Sequence, residues 1–329
     1  PRDPHQAASA AWSHAAPERG DAATTSPGGG QPRMTRPLVS IVTPSFDQGA
    51  FLEETIRSVL GQDYEPIEYI VVDGGSTDGS VDIIRRYQDR LAWWISEPDR
   101  GQADALNKGF ARAQGKYLGW LCSDDTLFPS AVSRLVQALE NAPDAALAYG
   151  NARYTDGAST LHDEALSGPW DPERMVRTAQ VPNQQPATLY ARRAYEAAGP
   201  LDEDAWYYLD YQLTVRLAGI GRGVHVPEVL ATYRIHPAGK STGQPVPKAV
   251  DAIRCADEFM TSASVPSELR PYTREGRATF YRRAGDLYAE AGLLWRARRC
   301  YARAGLLAPR VLSRRSIKNA LPPRLARRL

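Results

Sequence analysis

Asp124 and Asp125 stand side by side in LCSDDTLF, directly behind the apolar run YLGWLC. Adjacent carboxylates repel and raise each other's pKa unless something positive lies beside them, so the pair invites a cation. An Asp-rich turn that caps a helix is the alternative. Ser123, Asp124 and Asp125 all cap well, and PSAVSRLVQALENA behind them has helical periodicity. Asp47, Asp73 and Glu97 also follow short apolar runs. A further carboxylate, Asp210, opens the helical pattern DYQLTVRLAG among Trp206, Tyr207, Tyr208 and Tyr211. There it is either an N-cap or a base whose pKa its aromatic surroundings tune.

The elements around these acids decide whether they can meet. LVSIVTP, IEYIVVDGG, LAWWISE and YLGWLC are short apolar runs suited to buried strands. Between them lie helical patterns: AFLEETIRSVLGQ, TDGSVDIIRRYQ with Ser76, Thr77 or Asp78 as its cap, and GQADALNKGFARAQG. Strands alternating with helices imply right-handed βαβ units and a mostly parallel sheet in an α/β fold, with ligands at the carboxyl ends of the strands. Asp47, Asp73, Glu97 and the aspartate pair then share one sheet edge. From about Ala145 to Gly243, ALAYGNARYT, PATLYARRA and GRGVHVPEVLATYRIH flank the helical DYQLTVRLAG and supply a second wall. Residues 1–36, with TTSPGGGQP, lack periodicity and read as disordered. Residues 246–309 read as a helical extension. Its 275–308 portion resembles one tetratricopeptide unit through Gly285, Tyr288, Gly292, Ala297, Tyr301, Ala304 and Pro309. One unit cannot bury its own face and must pack on the main domain or a partner.

Composition narrows the classes. The 329 residues carry a formal net charge of +2, which gives no general case for nucleic acid. Yet ten Arg, one Lys and no Asp or Glu lie between Arg296 and Leu329, so the remainder is net acidic. The basic tail at 310–329 suits an anionic membrane surface, and no nucleic-acid motif accompanies it. Three widely spaced cysteines, Cys122, Cys255 and Cys300, fit neither a disulfide framework nor a zinc site and suggest a reducing cytoplasm. No apolar run reaches the ~20 residues of a membrane span. Neither a dinucleotide fingerprint nor a phosphate loop is present. A nucleotidyl-transferring pyrophosphorylase would need a basic, glycine-rich loop where this chain has TPSFDQGAF.

The ordered set IVTPSFDQGAFLEETIRSVLGQ, VVDGGSTDGS and SEPDRGQADALNKGFARAQGKYLGWLCSDD closely resembles family 2 glycosyltransferases of the GT-A fold, over Pro37 to Ser241. The resemblance implies a nucleotide-sugar-binding half at 37–150 and an acceptor and catalytic-base half at 151–245. It implies inverting transfer from a nucleotide-diphosphate sugar, usually a UDP-sugar, to a glycan or lipid-linked acceptor at the inner face of a membrane. It also implies Mn²⁺ or Mg²⁺, the hard cations that carboxylates hold. Neighbouring strand residues point to opposite faces, so the two aspartates take different tasks; resemblance to the family's D-x-D-like motif implies Asp125 as metal ligand and Asp124 on the ribose or a metal-bound water. By the same resemblance Thr43, Pro44, Phe46, Asp73, Arg100, Asp104 and Lys108 hold the nucleotide, with Asn107 beside them. Gln184 and Gln185, with Asn183, contact donor sugar or acceptor, as do Trp206 and Tyr208. Asp210 is the base, with Asp202, Glu203 and Asp204 reading as a solvated turn. His236 binds metal or phosphate, and Lys240 and Ser241 offer phosphate donors. A non-catalytic adaptor working through the helix pair and tail is the alternative; it has no need to hold Asp73, Asp124, Asp125 and Asp210 on one cleft.

Overall fold

The computed structural model describes residues 36–242, 244–313 and 316, the side chain of Ser241 excepted. Residues 1–35, read as disordered from sequence, lie outside it, as does nearly all of the tail beyond 313. In chain order the elements are β1 (Val39–Ser45), α1 (Gly49–Leu60), β2 (Ile67–Asp73), α2 (Ser80–Tyr87), β3 (Trp93–Ser96), α3 (Gln102–Arg112), β4 (Tyr117–Trp120) and α4 (Ala131–Glu140). Then come β5 (Leu147–Thr155), β6 (Leu161–Ala165), α5 (Pro172–Thr178), β7 (Thr188–Ala191), α6 (Arg192–Ala198), α7 (Leu209–Ala218) and β8 (Gly223–Arg234). Helices α8 (Pro245–Asp257), α9 (Thr273–Glu290) and α10 (Leu294–Leu307) complete the described chain.

One mixed eight-stranded sheet runs β3-β2-β1-β4-β7-β5-β6, with β8 parallel along β5. Strands β1 to β4 are parallel to one another, and β7 runs antiparallel to both β4 and β5. Every β1 residue is buried, because helices cover both faces of the sheet. Fully burying a Val or Ile side chain contributes about 1.5–3 kcal/mol, which is what Val39, Ile41 and Val42 of β1 and Ile70, Val71 and Val72 of β2 supply. The parallel register places Ser45, Asp73 and Ser96 side by side at the carboxyl ends of β1, β2 and β3. Strand β5 crosses the halfway point expected at residue 150, so the sheet is continuous through both halves.

Helix α2 starts at Ser80 rather than Thr77. Asp78 accepts from Ser80 N–H and Oγ through one oxygen and from Gly49 N–H through the other, which holds the preceding residues in a loop. Strand β6 and helices α5 and α6 had no periodic signal; β6 has four exposed residues of five, and each helix is only seven residues long.

A second core lies among α5, α7, α8, α9 and α10. Tyr211 and Phe280 meet edge-on with centroids 5.2 Å apart, and Gly285 lets Tyr301 approach so closely that a Cβ would meet its ring at 2.6 Å. The tetratricopeptide-like pair therefore buries its face on the main domain. Among the described residues no helix is long and apolar enough to cross a membrane, and the three cysteines are free.

Candidate active site

Beyond the carboxyl ends of β1 to β4 opens a cavity of about 840 Å³. The acidic turn is one wall. Asp125 N–H donates to Cys122 O (3.1 Å), reversing the chain just after β4, and Thr126 and Thr232 tie the turn to β8 through a 2.8 Å hydroxyl contact. Turning, rather than extending, lets both carboxylates face one point. An oxygen of each and the Cys122 Sγ lie within 4.8 Å of one another. Asp125 is buried, and one of its oxygens accepts from Arg234 N–H (2.8 Å). Burial first, then the Asp124 charge, pushes the Asp125 carboxyl well above the usual carboxylate range. Such a group favours a bound cation over a lone negative charge. The two carboxylates fit Mg²⁺ or Mn²⁺. Cys122 is kept protonated, chiefly by burial, and is held between Gln102 Nε2 (3.2 Å) and Gln185 Oε1 (3.4 Å), so it suits a neutral wall better than a hard-metal ligand.

Arg234, to which sequence reasoning gave no role of its own, organises this wall from below. Its guanidinium donates to the carbonyls of Asp124 (2.7 Å) and Asp156 (2.8 Å), to Ser159 Oγ (2.9 Å) and to Glu54 (2.8 Å), and it stacks on Phe51. His236 is buried, with Nε2 3.2 Å from an Asp124 oxygen and its ring 4.6 Å from Phe51. The structure places His236 behind Asp124 rather than on the cavity surface.

The opposite wall comes from α7 and its preceding loop. Asp210 lines the cavity and accepts from its neighbour, Tyr211 N–H (2.7 Å). Burial raises its pKa above the ordinary aspartate range, while Lys240 opposes the shift. Lys240 donates to Gln102 Oε1 (2.7 Å) and lies 5.1 Å from the Trp206 ring. Burial lowers the Lys240 pKa to about 8. Trp206 itself packs over Gly101, whose φ of +111° and missing Cβ, which would lie 2.5 Å from the indole, both require glycine.

Pro44, Phe46, Arg100, Asp124, Asp125, Gln185, Trp206, Asp210 and Lys240 thus share the cavity lining. Phe46 is 60% exposed, a free ring at its mouth. The remaining candidates lie elsewhere. Asp73 is fully buried and accepts from Gly75 N–H, Ser76 N–H and Oγ, and Ser96 Oγ, so its carboxylate shapes the β2 loop from inside. Thr43 bonds Tyr69 Oη (3.0 Å) within the core. Asp104 accepts from Arg100 N–H (3.0 Å), and Lys108 pairs with Glu97 (2.9 Å). Asn107 bonds both backbone groups of Leu201. Gln184 Nε2 donates to the Leu166 carbonyl (3.5 Å), and Asn183 bonds Thr188 (3.1 Å). Tyr208 turns into the second core, edge-on to Phe280 at 5.1 Å. Glu203 pairs with Arg100, while Asp202 and Asp204 face Arg254. Ser241 lies outside the described side chains.

Sequence reasoning missed Asp99 and Gln102, which line the cavity, and Asp251 on α8. Asp251 is buried and accepts from the N–H groups of Tyr207 (2.6 Å) and Tyr208 (3.2 Å), clamping the loop that leads into Asp210. Its distance in sequence from that loop left no signal to find it. Asp251→Leu is expected to strand both N–H groups and lower unfolding free energy by about 2–4 kcal/mol, with Asp251→Asn restoring most of it, as read by urea denaturation.

Residues 40–194 match the profile of "Glycosyl transferase family 2". The chain is 43% identical over 93 residues to a putative teichuronic acid biosynthesis glycosyltransferase, TuaG, of Bacillus subtilis, covering 27% of this chain and 37% of that protein. The match spans about two thirds or less of the length of the curated relatives that come first. In fold it resembles the S. aureus TarS fragment solved with UDP-GlcNAc, with a TM-score of 0.59 at 15% identity over 88% of this chain and 85% of that one. It also resembles a Pyrobaculum calidifontis mannosyltransferase solved with GDP-Man and Mn²⁺, with a TM-score of 0.55 at 19% identity over 86% and 78%. The mixed α/β sheet accordingly has the GT-A fold of these structures, and residues 40–194 form a glycosyltransferase family 2 domain.

Proposed function

We propose that the chain transfers a sugar, with inversion, from a nucleotide-diphosphate sugar, a UDP-sugar first among them, to a hydroxyl of a cell-surface glycan or lipid-linked acceptor. The observation that carries this is the placement of the Asp124/Asp125 pair and Asp210 on one cavity, with Lys240 also at its surface. An adaptor would have no use for that convergence. The teichuronic-acid name of one relative and the UDP-GlcNAc held by one structural neighbour support the acceptor and donor classes.

Pro44 and Phe46 flank the base, and Arg100 covers it from the β3 side. Asp125, with Asp124, would hold a divalent cation, which neutralises charge gathering on the leaving diphosphate. Lys240 donates to a phosphate oxygen at the loop after β8. Asp210 accepts the acceptor's hydroxyl proton as that oxygen bonds to the anomeric carbon and the bond from this carbon to the diphosphate oxygen breaks. Trp206 offers a stacking face for a sugar ring.

The test is a panel of UDP-, GDP- and dTDP-sugars with Mn²⁺ or Mg²⁺, scored by calorimetric binding and donor hydrolysis. One donor is expected to bind with metal and to be released by EDTA. If no nucleotide sugar binds with any cation, the transferase reading is wrong.

A further inference from the structure

Helix α10 presents an outer face that the transfer reaction does not use. Ala297, Cys300, Tyr301 and Ala304 are buried on its inner side. At 100° per residue, Trp295, Ala302 and Leu306 fall together on the opposite side, with Arg299 and Arg303 flanking them. Trp295 is 56% exposed and Leu306 81%. The helix carries four arginines and no acid, and the chain beyond it adds six Arg and one Lys, again with no acid. Beside the stripe lies a groove of about 210 Å³ lined by Tyr288, Trp295, Arg296, Arg299 and Arg303. Arg296 and Arg299 hold their guanidinium carbons 5.3 and 5.9 Å from the Trp295 ring. The aromatic ring and the cationic heads therefore sit at one level.

We propose that this face of α10 docks the protein on an anionic lipid bilayer, with Trp295 and Leu306 entering the headgroup boundary and Arg299 and Arg303 meeting lipid phosphates. An interfacial helix needs this combination: an apolar stripe, an amphipathic aromatic and basic flanks. Charge complementarity selects the occupant. Arg303 meets one acid, Asp257 at 3.7 Å, so the face keeps an excess of positive charge; a nucleic acid would answer that charge but leave Leu306 without a use, and a neutral protein groove would leave the charge unanswered. The inference is independent of the transfer chemistry and adds to it a location suited to a lipid-linked acceptor.

Flotation of the full chain with phosphatidylcholine vesicles, with and without phosphatidylglycerol, tests it. Binding is expected only with phosphatidylglycerol. The double variant Trp295→Ser/Leu306→Ser should weaken it about a hundredfold, since each buried apolar side chain counts for about a tenfold step. Arg299→Glu should weaken it about thirtyfold, by losing one attraction and adding one repulsion. Subtracting the Trp295→Phe spectrum from the parent's should show a blue-shifted indole on binding. All three sites lie on an exposed face, so thermal midpoint and donor binding should not change. Absence of vesicle binding, or equal binding by the variants, which would leave the segment beyond 313 as the sole anchor, overturns the proposal. So does tighter binding to RNA than to vesicles at the same ionic strength.

Discussion

Asp210→Asn is expected to leave nucleotide-sugar binding unchanged while transfer falls about 10²–10⁴-fold, the usual worth of a positioned general base. Asn keeps the side chain's shape and an oxygen for Tyr211 N–H but cannot take a proton. The pH profile makes the assignment specific. Burial raises the Asp210 pKa, so in the free enzyme kcat/KM should climb with pH through a value above that of an ordinary aspartate, as the base loses its proton. On the alkaline side Lys240, with its pKa lowered to about 8, loses the charge that meets phosphate, and kcat/KM should fall again. With saturating Mn²⁺ keeping Asp125 ionised, Asp210→Asn should erase the acid limb and keep the alkaline one; Lys240→Met should do the reverse. Intact transfer by Asp210→Asn would remove the base from this residue altogether.

Asp125→Asn should have the second large effect, with opposite consequences for binding and for stability. Losing the metal-holding charge should abolish the cation dependence of donor binding and lower turnover about 10²–10³-fold, the several kcal/mol a Lewis acid supplies at a developing diphosphate. The metal-free fold should not suffer. Asn retains the oxygen that Arg234 N–H uses, and it removes a buried carboxyl that burial and Asp124 already disfavour as a charge. The thermal midpoint without metal is therefore expected to equal or exceed the parent's, while the rise that Mn²⁺ gives the parent should vanish. Asp125→Ala is the poorer probe, since it also leaves that N–H unsatisfied at a cost of about 1–3 kcal/mol. A variant that still binds donor more tightly with Mn²⁺ would move the metal elsewhere.

Much of the site's neighbourhood was legible without coordinates, because parallel strands have a strict signature. Runs such as VSIVTPS and IEYIVVD are apolar on both faces only when helices cover both, and their parallel order sends Asp73 and the 124–125 pair to the same edge. Asp73 shows where that logic ends. Sequence placed it at the edge, but its orientation depended on Ser76 and Ser96, two hydroxyls that together with the Gly75 and Ser76 N–H groups turn it inward. Tyr208 was lost from the cleft for a similar reason: Phe280, 72 residues away, offered its ring a better-packed place than water did.

What the sequence by itself determined is local and periodic: which of the longer, periodic segments are strands or helices, that the sheet is mostly parallel, and that a cation-ready pair of acids and a lone aspartate before a helix lie at strand or helix ends. The tertiary structure decided what depends on partners far along the chain. It made Arg234 the brace of the acidic turn through Glu54 and Asp156, made Asp251 the clamp behind Asp210, and stacked Trp206 on Gly101. Periodicity records how a residue faces its own element; a buried charge or an orphan N–H is satisfied only by whatever the fold brings alongside it, and no pattern in one chain names that neighbour.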